Sequence, residues 1–207
     1  MDHVGTLVAI GGVFLLACLS PGPVFVVISS TAIAVSRKAG VLVGLGVAGA
    51  TFTWALVTML GLGVVMTRLA WLHTGIRLAG AAYLVWIGLS MILGAAKPGR
   101  AVDVPPVDRA GTWAAFRRGY LTSITNPKAA AFFGSIFAVM LPAHAPSWVY
   151  GAAVALVAAL SAFWHCGLAL VFSVPAIQAG YRKAKSRIDR AVGVLLILLG
   201  VRLAVAR

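Results

Sequence analysis

The sequence predicts an all-α, polytopic membrane protein: six transmembrane helices in two inverted three-helix halves, with the first and fourth helices broken. Three observations carry that prediction. Of 207 residues, 61% are hydrophobic and only 10% charged, with a mean hydropathy of +1.02, far more apolar than a soluble domain. Apolar runs long enough to cross a bilayer's hydrocarbon recur along nearly the whole chain. Proline-bearing breaks fall at matching places in the two halves, at Ser20-Pro21-Gly22-Pro23 and at Asn126-Pro127-Lys128.

The first span runs roughly from Val4 to Val35 and contains the first break. It begins with Asp2 and His3 in place of a basic leader region, and its apolar stretch continues past Pro23, so it reads as retained and not as a cleaved signal. The second runs from about Val41 to Thr67. Its glycines Gly40, Gly44 and Gly49 permit close helix approach, read as packing inside one subunit, with a homodimer left open. The third covers about Leu72 to Ala95; Trp71 fits an interfacial anchor and Arg77 can snorkel.

A polar, proline-bearing linker, residues 97–112, then separates residues 1–96 from 113–207, two halves of one transmembrane domain. Three spans per half force the second half to enter the membrane in the opposite orientation. The fourth span, about Phe116 to Leu141, holds the second break; the fifth, about Trp148 to Val174, holds His165; the sixth runs from about Ala191 to Ala206.

Charge placement orients the chain. The formal net charge is +13, but the basic residues avoid the apolar runs and cluster between them, which lipid-facing topology explains and a nucleic-acid stripe does not. The first, third and fifth connections carry twelve Lys and Arg: Arg37, Lys38, Lys97, Arg100, Arg109, Arg117, Arg118, Arg182, Lys183, Lys185, Arg187 and Arg190. The opposite side carries four, Arg68, Arg77, Arg202 and Arg207. The positive-inside rule places the first set in the cytoplasm and both termini outside.

At the breaks, Pro21, Pro23 and Pro127 lack an N–H and clash with the carbonyl four residues earlier, and Gly22 tolerates backbone angles that other residues resist. The freed backbone groups cannot face lipid, so they must meet protein or a water-filled cavity. One such motif alone reads as a kink that shapes packing. Its recurrence in both halves points to a transporter's binding site, made by loose carbonyls for a cation and a half-helix N-terminus for an anion.

Lys128 adds a charge roughly twelve residues into the fourth span, and a lysine at mid-bilayer costs about 3 kcal/mol or more. It must meet carbonyls and water of the broken helix or an anionic ligand, or lose its proton. Asn126 suits either capping the second half-helix or touching a substrate. Thr125 stands beside the break and is the one span hydroxyl assigned to the site; Ser29, Ser30, Thr51, Thr53, Thr122 and Ser123 are read as bonding their own helices. The candidate substrate-binding set is therefore Ser20, Pro21, Gly22, Pro23, Thr125, Asn126, Pro127 and Lys128. His165 can carry a coupling proton or simply pack between helices.

These motifs together resemble the lysine exporter superfamily, and within it the homoserine/threonine resistance branch of amino-acid exporters. The resemblance rests on Ser20-Pro21-Gly22-Pro23, the ladder Gly40, Gly44, Gly46 and Gly49, and the run from Gly80 through Tyr83 and Trp86 to Gly88. Phe116-Arg117-Arg118-Gly119, Asn126-Pro127-Lys128-Ala129 and Phe132-Phe133 complete it, over most of residues 15–140. It implies an inner-membrane exporter of amino acids or related small metabolites, with six helices in two inverted halves, driven by the proton gradient. An uptake carrier of the same fold would look identical in sequence; only the resemblance gives the direction.

Other classes fit less well. A membrane thiol relay would need Cys18 to meet Cys166, the two cysteines present, since the fourth span has none; both read as buried small residues. A channel lacks a ring of charges or a filter-like repeat. An enzyme lacks a nucleophile–base pair, a nucleotide loop or metal-ligand spacing, and neither cofactor nor metal is expected. The expected partners are membrane lipid and a small amino-acid substrate. No acidic residue lies in the apolar part of any span, so a second positive charge on a substrate would go unpaired; small neutral amino acids are expected over basic ones.

Overall fold

A computed structural model describes residues 3–19, 22–68, 70–94, 111–141 and 145–205. Among them the chain forms eight helices and no strand: α1 (His3–Leu19), α2 (Pro23–Ala34), α3 (Arg37–Arg68), α4 (Ala70–Gly94), α5 (Thr112–Ile124), α6 (Pro127–Met140), α7 (Ser147–Val171) and α8 (Pro175–Val205). The predicted first span is the pair α1 and α2, whose axes meet at 64°. The predicted fourth span is likewise two helices, α5 and α6. Ser20, Pro21 and residues 97–110 of the predicted linker lie outside the described residues.

Segments of 25 residues in α3 (Arg37–Gly61) and in α7 (Ser147–Val171) are each long and apolar enough to cross a membrane, and the bent pair α1 and α2 adds a third where the two are counted as one span. In α4, Ala81–Gly94 is apolar but shorter than a span. The basic residues of α5 and of the first half of α8 dilute the apolar character that the sixfold expectation relied on.

One boundary differs in kind. The stretch read as a charged connection up to Arg190 is helical from Pro175, continuous with the sixth predicted span. Proline suits the first turn of a helix, and no second proline follows to stop it. The consequence is that Asp189 stands on a packed helix and is buried.

The core has three apolar clusters. Ile10 and Phe14 of α1 meet Phe132, Phe133 and Phe137 of α6 and Val149, Ala153 and Val157 of α7. Ile28 and Ala32 of α2 meet Val43 and Val47 of α3 and Leu168 and Ala169 of α7. Ala81, Leu84 and Ile87 of α4 meet Val192 and Leu196 of α8. Large apolar side chains also point outward, among them Leu45, Phe52, Leu56 and Leu60 on α3 and Phe163 and Leu170 on α7. Such an outer surface suits hydrocarbon as solvent.

Glycine sets the helix spacing. A Cβ on Gly46 would overlap the Phe116 carbonyl of α5, and one on Gly119 would overlap the Val43 carbonyl of α3, so these two glycines let α3 and α5 touch backbone to backbone. Gly44 lies against the His165 backbone, and Gly40 against Ala32 and Ala169. The predicted ladder therefore packs helices of one subunit together.

Candidate functional site

The two breaks are built alike. Gly22, extended at φ −138° and ψ −170°, precedes Pro23, which opens α2; Asn126, extended at φ −76° and ψ 113°, precedes Pro127, which opens α6. A proline pushes the residue before it out of the helical region and is itself pre-shaped for the first helical position, so each pair opens the second helix of its break. Asn126 also caps: its side-chain oxygen accepts the Lys128 N–H at 3.0 Å. Gly22 has no side chain with which to do so.

Lys128 bridges the breaks. Its ammonium donates to the carbonyl of Ala17, in the last turn of α1, at 3.3 Å. That carbonyl is one of those a helix end leaves without an internal partner. An ammonium has three N–H donors, so among the described residues this bond leaves two.

Two cavities meet at Lys128 and Gly22, which line both. One, of about 100 Å³, is walled by Phe14, Cys18, Phe132, Phe133, Trp164 and Leu168, with Thr51, Ser123, Asn126 and His165 as its polar side chains. This is room for several waters. The other, of about 360 Å³, is walled by Pro23, Tyr83, Trp86, Ile87, Ser90, Met91, Gly94, Lys185 and Asp189.

The first cavity reaches a buried polar chain between α3 and α7. Thr51 Oγ1 and Ser161 Oγ are 3.0 Å apart, Ser161 Oγ lies 3.1 Å from His165 Nδ1, and Nδ1 lies 2.8 Å from the Ser161 carbonyl. A carbonyl only accepts, so Nδ1 carries the hydrogen and Nε2 is left with the lone pair.

The predicted residues separate on this geometry. Gly22, Asn126 and Lys128 line the first cavity, Gly22, Pro23 and Lys128 the second. Thr125 is exposed, and its hydroxyl donates to the Leu121 carbonyl at 2.7 Å, the back-bond typical of helix hydroxyls; it lines neither cavity. Pro127 contributes its backbone as the start of α6. Ser20 and Pro21 lie outside the described residues. Tyr83 and Trp86 wall the second cavity with their rings 5.6 Å apart.

Asp189 was not foreseen. Flanked by Lys185, Arg187 and Arg190, it looks in sequence like one more charge of a solvated connection. The signal available was its spacing from Lys185, four residues, the interval of a helical ion pair.

Both cysteines are free: Cys18 lines the first cavity, and Cys166 Sγ donates to the Val41 carbonyl at 3.7 Å. No group of three or more His, Cys, Asp or Glu suited to a metal occurs among the described residues.

The family described as LysE type translocator matches residues 15–207. The threonine efflux protein of Salmonella typhimurium is 34% identical over 196 residues, 94% of this chain and 95% of that protein. The threonine efflux protein of Escherichia coli K12 is 33% identical over the same shares. An uncharacterized membrane protein of Escherichia coli K12, YahN, is 31% identical over 203 residues, 98% of this chain and 91% of its own length. No solved structure matches the chain.

Proposed function

Since the chain belongs to the LysE type translocators, a family of transporters and not of enzymes, we propose that it exports small neutral amino acids, threonine and its close analogues first, from the cytoplasm across a bacterial inner membrane. The observation that carries this reading is Lys128: a half-buried ammonium at the junction of two broken helices and two cavities, with one carbonyl as its partner among the described residues. Its two remaining donors and the N-terminus of α6 receive the substrate carboxylate.

Six spans in two inverted halves, moving by alternating access, is the architecture we assign. It is supported by the like construction of the two breaks and by reciprocal packing. In the pairing of α1, α2, α3 and α4 with α5, α6, α7 and α8, α3 packs on α7 and α4 on α8 across the halves. The contact of α3 with α6 has its counterpart in α7 with α2, and that of α1 with α6 in α5 with α2. A shared site at the interface of such repeats is what rocking between two states requires. Proton antiport is assigned to His165, whose tautomer leaves Nε2 free to take a proton.

A panel of labelled amino acids in inverted vesicles with an imposed pH gradient tests this function. Gradient-dependent accumulation of threonine or homoserine is expected, with lysine and arginine transported less efficiently, and His165→Asn should lose the gradient dependence. Lysine as the best substrate, or accumulation that ignores the gradient, would refute the reading.

Both termini face the periplasm and the 97–112 linker faces the cytoplasm in this proposal, on the asymmetry of twelve Lys and Arg against four. A cysteine placed at Val104 in a protein lacking Cys18 and Cys166 should resist an impermeant thiol reagent in intact cells. Ready labelling would reverse the orientation.

A further inference from the structure

Of the carbonyls that the sequence offered to a substrate ammonium at the first break, that of Ala17 is taken by Lys128 itself. An anion would hold the positive end of a zwitterion more strongly than the neutral carbonyls beside it. We propose that Asp189 is that group: it holds the ammonium of the amino acid whose carboxylate Lys128 holds. This deepens the function proposed above and rests on its reading of Lys128.

Asp189 is 4% exposed. Its Oδ2 accepts from Lys185 Nζ at 2.6 Å, while its Oδ1 is buried without a partner among the described residues. A buried carboxylate oxygen left unpaired is expensive, and it is a standing acceptor for a cation. The side chain of Lys185 is 37% exposed, so its charge is shared with water. Asp189 lines the same cavity as Lys128 and Gly22. The Tyr181 hydroxyl, buried and also without a partner among the described residues, lies in the field of Asp189.

Two opposite charges on one cavity match the two ends of an amino acid. A carboxylic acid without an amino group would leave Asp189 Oδ1 unpaired, which is how buried polar groups reject an analogue that lacks the donor. Oδ2 is taken by Lys185, and the one oxygen left, Oδ1, serves one further ammonium. A basic substrate would bring a second positive charge beside Lys185 with nothing left to receive it, so the preference for neutral amino acids stands on a different footing from the absence of acids in the spans.

The test titrates L-threonine and 3-hydroxybutyrate, which differs only by the missing ammonium, into the purified full-length protein and measures heat. The wild type should prefer threonine at least tenfold, the scale of one charge-assisted contact. Asp189→Asn should erase that preference and Lys185→Gln should keep it. A wild type without the preference, Asp189→Asn that retains it, or Lys185→Gln that erases it equally, would overturn the proposal; the last would make Asp189 half of a structural ion pair. Asp189→Glu, which displaces the charge by one methylene, guards against a misfolded Asn variant. It should weaken threonine several-fold with 3-hydroxybutyrate unchanged, and no change in either would also overturn the proposal. Lys128→Gln should weaken both ligands alike. If it leaves both unchanged, the carboxylate reading of Lys128 fails, and the Asp189 results still stand or fall by themselves.

Discussion

Lys128→Ala is expected to abolish threonine transport while the protein inserts in normal amount. A lysine at mid-membrane costs about 3 kcal/mol or more, so at the depth proposed for Lys128 its removal relieves insertion. What it leaves behind is one carbonyl, Ala17, beside two cavities, where water can satisfy it. The substrate carboxylate by contrast loses its only opposite charge at the breaks. A hydrogen bond to a charged group is worth roughly 1.5–3 kcal/mol, about a 10- to 150-fold loss even before any effect on the conformational cycle. Transport of labelled threonine in inverted vesicles, normalised to inserted protein, measures it. Near-normal transport would make the lysine a structural tie between α1 and α6.

The second large effect is on folding. Gly46→Ala and Gly119→Ala should each lower the melting temperature in detergent and cut the yield of monodisperse protein sharply. At both positions the added methyl meets a backbone carbonyl of the facing helix, which no rotamer change can move aside. Overpacking typically costs 1–3 kcal/mol, and here the whole α3–α5 contact must open. Gly12→Ala is the control, because nothing lies within 4 Å of where its Cβ would stand. There the better helix propensity of alanine should leave stability unchanged or raised by roughly 0.5–1 kcal/mol. Equal melting temperatures for all three variants would show that α3 and α5 are not held at backbone contact.

How much of this is legible in the sequence alone depends on whether the deciding interaction is local. The breaks were legible because proline acts through its own ring and its neighbour: Gly22-Pro23 and Asn126-Pro127 end and begin helices wherever they are placed. Lys128 was legible because a charge amid apolar residues is anomalous on its face. The close approach of α3 and α5 was half legible: glycines at 46 and 119 are visible, but only the fold pairs one with the Phe116 carbonyl and the other with that of Val43. Thr125 was assigned by adjacency, and adjacency does not tell which way a helix turns its hydroxyls. Asp189 was hidden by its basic neighbours, and its burial depends on α8 running unbroken from Pro175 and packing on α4.

The central claim is that a positive charge at position 128, between the two broken helices, holds the substrate. Its most direct measurement is chemical rescue of Lys128→Cys in a protein lacking Cys18 and Cys166. Treatment with a methanethiosulfonate reagent that attaches an ethylammonium group restores a cation near the place of the lysine ammonium. A reagent that attaches a neutral group of similar size fills the space without the charge. No threonine transport is expected before treatment, with recovery by the ammonium reagent and none by the neutral one. Transport by the untreated variant, or equal recovery with both reagents, would contradict the claim.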